Sequence, residues 1–441
     1  MNILVVGNGF DLSHFLPTKY DHFMFAMQSI QNFKKNNIDM EFKDIFGELL
    51  ESEYHFFDKT KILYDTNKII IPQNEVKSIK DKLNKNSWYK YFHNHFTEIK
   101  TWIDFEQKIE EALVLVAKAI EKIEEKYNTY GIFNYPVYTK YSERINQYYF
   151  SEIQFHLLSC LNLIEEEVTA NSPGYRYGFI SSSFYTVPND EKYGFNSQKY
   201  LQHLQDQLDD FIDLFNLYLC LVVDKLLPFK KFSFNKSDCI DEVFSFNYTT
   251  TFEKFYESPA KIHFLHGKLG KQHNLVLGIS ELKDVYLKKL KAYGFTKYHQ
   301  KIYKNTNYQF LNSKLNDLKV LNESLNESKL DYRAGVPLPS NIPSYSTLIS
   351  RIKNSIENFD LNLQIWGHSL DISDEVYINE IFSFNEISDN KVRVCIYYFD
   401  PKAKFALLNN LFHILGKEKV ETWMKNGWLH FDENPNLVKN D

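Results

Sequence analysis

LQIWGHSLDISD, residues 363–374, is an apolar run that breaks off at Gly367-His368-Ser369-Leu370 and is followed at once by Asp371 and Asp374. A short apolar run ended by glycine and small polar residues reads as a buried parallel strand opening into a loop. Three other runs end in the same manner. NILVV (2–6) meets Gly7-Asn8-Gly9-Phe10-Asp11, DEVFSF (241–246) meets Asn247-Tyr248, and KIHFL (261–265) meets His266-Gly267. A further strand is expected over Val392–Tyr398. Strand ends rich in glycine and polar residues are where doubly wound α/β proteins gather their ligands. The fold class expected is therefore α/β, a Rossmann-type parallel sheet with large helical insertions.

Between the first strand and the second the periodicity changes. Phe105, Ile109, Leu113, Val116 and Ile120 repeat at helical spacing, as do Leu204, Leu208, Phe211, Phe215 and Leu219. Ile153, Leu157, Leu161, Ile164 and Val168 suggest another helical face, and Asn171-Ser172-Pro173-Gly174 a turn. Residues 41–232 thus read as a mainly helical insertion, with 1–40 and 233–441 forming the core. Leu275–Ile279 reads as one more core strand. Residues 282–345 read as a second, smaller insertion of helix and loop.

The chain has 441 residues, more than one hydrophobic core usually holds, and 44% hydrophobic with 16% aromatic residues suits a large interior. A net charge of −6 argues against general binding of polyanions. The lysine-rich stretch 283–304 accordingly reads as a solvated helix face rather than a nucleic-acid contact. Cys160, Cys220, Cys239 and Cys395 form no CxxC pair, which excludes a zinc ribbon; they read as reduced thiols, and no metal is expected. NILVVG is too short for a signal-peptide core, and no apolar run reaches spanning length, so a cytoplasmic location without membrane contact is expected.

Each strand end offers specific chemistry. Gly7 and Gly9, with Asn8, Phe10 and Asp11 beside them, would let backbone amides approach phosphates. Asn247 carries an amide suited to a ribose hydroxyl or a water, while Thr249 or Thr250 with Glu253 suggests a capping box on the following helix. His266, at the glycine-bounded end of its strand beside Gly267, is favoured for catalysis, either taking a proton from a hydroxyl or steadying a ribose hydroxyl network. Gly367, His368 and Ser369 supply backbone amides, an imidazole and a hydroxyl. Asp371 and Asp374 serve either as helix caps or as ribose ligands, two uses that the residues alone do not rank.

GNGFDLSHFLPTKYDHF, WIDFE (102–106), SFNYTTTFEKFY, IHFLHG, FTKYHQKIYKNTN (295–307) and IWGHSLDISD, in this order, resemble the AbiH-type abortive-infection proteins of bacteria across nearly the whole chain. More distantly the core resembles the sirtuin-like fold: Gly7–Gly9 fall at its glycine loop, Asn247 at its asparagine, His266-Gly267 at its histidine-glycine, and Gly367-x-Ser369-Leu370 at its late cofactor loop. The resemblance implies anti-phage defence with NAD or a related nucleotide as ligand. It implies Asn247 and His266 as catalytic, with Gly7, Asn8, Gly9, Phe10, Asp11, Gly267, Gly367, His368, Ser369, Asp371 and Asp374 holding the cofactor. Tyr248-Thr249 depart from the sirtuin pattern, and the missing zinc ribbon argues against a lysine deacylase. NAD hydrolysis is the function expected. A nucleotide sensor without turnover is the alternative, and a homo-oligomer, a defence partner or a phage trigger is the kind of protein partner anticipated.

Overall fold

Six short strands pair side by side in a sheet whose order reverses at its first member. They are β1 (Asn2–Val6), β2 (Glu242–Ser245), β3 (Lys261–Phe264), β4 (Leu361–Trp366), β5 (Val392–Tyr398) and β6 (Leu429–Glu433), arranged β3-β2-β1-β4-β5-β6 with every neighbouring pair parallel. This is the Rossmann strand order, and its switch point lies between β1 and β4. The computed structural model describes residues 1–35, 38–130, 137–141, 144–146, 149–168, 175–186, 194–234, 239–307, 309–338, 342–389 and 391–439.

Alternation along the strands builds two cores, one on each face. Leu4, Val6, Val243 and Trp366 enter the first; Ile3, Val5, Phe244, Leu363, Ile365, Val394 and Ile396 enter the second. Helices α1 (Asn8–Ser13) and α2 (Tyr20–Asn32) follow β1. The long insertion then contributes α3 (Trp102–Tyr130) and α4 (Ser197–Leu221). Phe105, Ile109 and Leu113 of α3 and Leu204, Leu208 and Phe211 of α4 belong to the same buried cluster as Leu4 and Val6. The insertion therefore shares a core with the sheet.

After β2 come α5 (Thr251–Phe255), α6 (Lys297–Tyr303), α7 (Asn312–Ala334), α8 (Tyr345–Glu357), α9 (Glu375–Ile387), α10 (Pro401–Leu415) and α11 (Lys417–Lys425). Leu315 and Leu318 of α7, Ile378, Ile381 and Phe382 of α9, Leu411 of α10 and Trp423 of α11 cover the second face.

Several local expectations need correction. Gly7–Asp11 is no open loop: Gly7 is the N-cap of α1, and the chain turns directly from strand into helix. The run Ile153–Val168 is not one helical face. A helix spans Glu152–Cys160, Asn162 takes the left-handed conformation with φ 60°, and Ile164–Val168 is a strand. An asparagine in that conformation just past a helix end is a common helix stop. That strand joins Tyr138–Tyr141, Arg144–Asn146 and Tyr175–Ile180 in a four-stranded antiparallel sheet, which a mainly helical reading of 41–232 overlooks. Leu275–Ile279 adds no strand to the sheet; Ile279 makes one isolated bridge, to Thr296. The turn expected at 171–174 lies outside the described residues. Among the described residues, no helix is long and apolar enough to cross a membrane.

Candidate functional site

At the switch point the loops after β1 and β4 meet backbone to backbone. The Gly7 N–H donates to the Trp366 carbonyl (3.1 Å) and the Gly9 N–H to the Gly367 carbonyl (2.8 Å). A Cβ on Gly7 would lie 2.6 Å from the His368 Cα, and one on Gly9 2.7 Å from the Gly367 Cα. These glycines are required by the close approach of two chains, and the two amides expected to face phosphate are spent within the protein. Gly267 has a similar reason: its φ is 89°, and a Cβ there would meet the Asn274 carbonyl oxygen at 2.1 Å.

Beside this seam lies a buried carboxylate, Asp11, on the single turn of α1. Its two oxygens accept from Thr249 (2.7 Å) and Thr251 (2.6 Å). Asn247 donates to the Gly7 carbonyl (2.9 Å), tying the end of β2 to the end of β1. The expected capping box is thus not formed: Thr249 serves Asp11, Thr250 donates to Asp224, and the N-cap residue of α5, Thr250, makes no side-chain cap. The cavity bordered by Asp11, Asn247, Thr249 and Thr251 amounts to about 10 Å³, room for one water at most.

Burial pushes the Asp11 carboxyl up to about 6, against the lowering effect of Thr251, Thr249 and Asn247. A folded-state pKa above the unfolded value favours the fold at low pH, and that contribution is lost as pH rises through about 6. Asp11→Asn removes this term. The stability of the variant relative to wild type is therefore expected to rise by about 2 kcal/mol between pH 4 and pH 7. Urea midpoints at a series of pH values measure it; a difference that stays constant across the range would refute the assignment.

A second cluster, on the other side of Phe246, gathers most of the buried charge. His266 follows β3, His368 follows β4, and Asp374 closes the short turn before α9. The Asp374 carboxylate lies 3.5 Å from Nε2 of His266 and 3.3 Å from Nε2 of His368. The Leu370 N–H donates to Nδ1 of His368 (3.0 Å), so the ring proton of a neutral His368 sits on Nε2, toward Asp374. Nε2 of His266 is buried and makes no well-formed hydrogen bond, its 3.5 Å approach to Asp374 being long for one. The Phe246 ring stands perpendicular to His266 at 5.2 Å and against His368 at 4.2 Å.

Helix α6 brings Lys297 and Lys301 to the same place, four residues apart and so on one helical face. Lys297 pairs with Glu106 of α3 at 2.6 Å, and Lys301 donates to the Tyr377 hydroxyl of α9 at 2.6 Å. His266, Lys297, Lys301, His368 and Asp374 are each at most 8% exposed. Burial lowers the Lys297 pKa, but Glu106 and Asp374 outweigh it and hold the ammonium charged. Burial takes Lys301 down to about 8. Burial and the Lys301 charge push His266 down to about 3, which keeps its imidazole neutral. Asp374 resists its own burial because Lys297 and the two histidines hold it well below the usual carboxylate range.

The sequence-selected residues therefore divide. His266 and His368 converge on the Asp374 carboxylate, whereas Asp11 and Asn247 form a separate hydrogen-bonded group. Phe10 is a core residue against Trp366, with ring centroids 5.0 Å apart, Asn8 opens α1, and Ser369 is exposed. The two aspartates left unranked by sequence part company: Asp371 caps the following turn by accepting from the Ser373 N–H (3.0 Å), and Asp374 makes no side-chain cap. The reading of 283–304 as a solvated face holds for Lys283, Lys288, Lys289 and Lys291, which are exposed, and fails for Lys297 and Lys301, which are buried. Glu106 was visible in WIDFE, but nothing local marked it as the counter-ion of Lys297. Volume does not locate this chemistry. A cavity of about 730 Å³, lined by Glu165, Ser181, Lys199, His203 and Asp206, contains no residue of either cluster.

The strand order and the buried charge at the carboxyl edge define a doubly wound α/β protein with a closed ionic site, roofed by helices from both insertions. The model of the family described as bacteriophage abortive infection AbiH matches residues 3–173 and 177–398, and the chain belongs to that family. Its role accordingly lies in abortive infection of bacteriophage. No curated protein and no solved structure matches the chain.

Proposed function

We propose that the protein is an abortive-infection effector that holds NAD or a related dinucleotide at the carboxyl edge of a sirtuin-like core and hydrolyses the nicotinamide–ribose bond. The observation that carries the reading is the convergence of His266, His368, Asp374, Lys297 and Lys301 beside the switch point of a Rossmann-ordered sheet. Lys297 and Lys301 supply two cations for a pyrophosphate. Asp374 supplies a carboxylate that favours the positive charge developing on the sugar as the C–N bond breaks and its electron pair leaves with nicotinamide, while Glu106, pushed up to about 7 by burial, stays on Lys297. Water adds to the ribose carbon and gives its proton to His266. Burial first, and then the charges of Lys301 and Lys297, depress that imidazole; a bound pyrophosphate offsets the part due to the lysines and raises its basicity by that much. Asn247 has its amide on Gly7, so its part is to hold the ends of β1 and β2 in place.

Purified protein incubated with NAD is expected to release nicotinamide and ADP-ribose. His266→Ala should slow turnover by about 100-fold or more, and Lys301→Met should weaken binding, seen as a raised KM. Turnover unchanged in His266→Ala, or a folded wild type that NAD neither stabilises nor binds, would remove the reading. A sensor that binds without turnover draws support from the engagement of the Asn247 amide. It predicts a raised melting temperature with NAD and no nicotinamide.

A further inference from the structure

The half of the sheet farthest from the insertion carries a second set of chemically active side chains. On β5 and β6, Val394, Ile396 and Leu429 point into the core beneath α9, α10 and α11. Alternation sends Cys395, Tyr397, His430 and Asp432 to the opposite face. The register pairs Cys395 with His430 and Tyr397 with Asp432, so the four form a compact block on two adjacent strands.

Sγ of Cys395 lies 3.5 Å from Oδ2 of Asp432, and Nε2 of His430 lies 3.7 Å from the same oxygen. The three potential ligand atoms are all within 4.8 Å of one another. Tetrahedral zinc, with Zn–S of about 2.3 Å and Zn–N and Zn–O of about 2.0 Å, sets the sulfur and oxygen roughly 3.5 Å apart and the nitrogen and oxygen about 3.3 Å apart. The sulfur–oxygen and nitrogen–oxygen separations present, 3.5 and 3.7 Å, need a shift of only a few tenths of an ångström. A thiolate, a carboxylate and a neutral imidazole also balance the charge of a divalent ion. Another grouping of metal-binding types, Asp21, His22 and Glu53, is less suited, because the Lys19 ammonium already sits on Glu53.

We propose that Cys395, His430 and Asp432 form a zinc site that clamps the edge strand β6 to β5. On binding, the Cys395 thiol loses its proton to solvent and a Zn–S bond replaces the thiol contact to Asp432. The fourth position belongs to water: the His430 and Asp432 side chains are 54% and 58% exposed, and the Tyr397 hydroxyl, which also meets the Cys395 thiol, donates to Gln364 at 3.0 Å. Three protein ligands and one open position make the binding reversible. The site arises from strand register, which is why no CxxC spacing announces it.

The test is titration of the metal-stripped full-length protein with Co²⁺, followed by displacement with Zn²⁺. Wild type should take up one Co²⁺ per chain with a thiolate-to-cobalt charge-transfer band, and Zn²⁺ should abolish that band. Cys395→Ser should lose it, and His430→Ala and Asp432→Asn should each weaken binding about tenfold or more. Because His430 and Asp432 are exposed, those two variants are expected to keep the metal-free melting temperature of wild type, which separates ligation from folding even if Cys395→Ser folds poorly. Zinc should raise the melting temperature of wild type more than that of any of the three variants. No charge-transfer band in wild type, a band that survives Cys395→Ser, or wild-type affinity in both surface variants would overturn the proposal. None of these readouts depends on nucleotide turnover.

Discussion

Gly367→Ala is expected to abolish folding, the largest effect of any single methyl group added at this site. Gly367 has φ 71°, and a Cβ there would lie 2.0 Å from the Phe10 nitrogen and 2.3 Å from the Gly9 carbonyl carbon. Both are backbone atoms held by the first turn of α1, so no side chain can swing aside. Relief would have to come from separating the loops after β1 and β4, which breaks the 2.8 Å bond from Gly9 to Gly367 and withdraws Phe10 from the core. Overpacking of that kind, added to the left-handed backbone, exceeds about 4 kcal/mol. Gly335 provides the control. Its φ is 66° with nothing within 4 Å of the added atom, so Gly335→Ala should cost only the conformational strain, about 1–2 kcal/mol. Soluble yield and urea midpoints compare the two. A Gly367→Ala protein with a wild-type midpoint and lost nucleotide binding would sink the packing argument and make Gly367 a ligand-facing glycine.

That distinction marks how far the sequence could be read. The glycines flagged the correct place in the fold, since a strand that ends at glycine at a switch point is legible from composition alone. Their purpose was not legible, because a glycine admitting a phosphate and one admitting a neighbouring chain leave the same letter. Five of the six strands were recognisable as short branched runs with polar ends. The sixth, Leu429–Glu433, alternates apolar and polar residues near the chain end and gives no buried-strand signal. Lys297 and Lys301 were hidden by their neighbours: in a lysine-rich run the local pattern predicts solvation. Their burial is decided by Glu106, which arrives on α3 from the first insertion, and by Asp374 on the far side of the sheet. The same holds for Cys395, His430 and Asp432, which only strand register brings together.

Asp374→Asn tests the ionic site without touching its shape. The substitution leaves two buried ammonium groups, of which Lys297 keeps its ion pair with Glu106 and Lys301 keeps the Tyr377 hydroxyl and the more distant Glu106 charge. Removing one partner from a buried charge cluster costs about 3–5 kcal/mol, chiefly because the remaining charge is stranded away from water. The folded-state pKa of Asp374 lies well below its ordinary value, despite the opposing effect of burial, because of Lys297, His266 and His368. A depressed carboxylate contributes stability that is fully present above the unfolded pKa and is lost as pH falls through the folded one. The gap in urea midpoint between wild type and Asp374→Asn is therefore expected to be full at pH 7 and to close progressively below about pH 4. Adding Lys301→Met to Asp374→Asn restores the charge balance and should recover part of the loss, whereas two independent sites would simply add. Equal stability of wild type and variant at pH 7, or a gap that ignores acid, would mean that Asp374 is not the hub of this cluster. Catalysis by His266 beside that carboxylate would then lose its electrostatic basis.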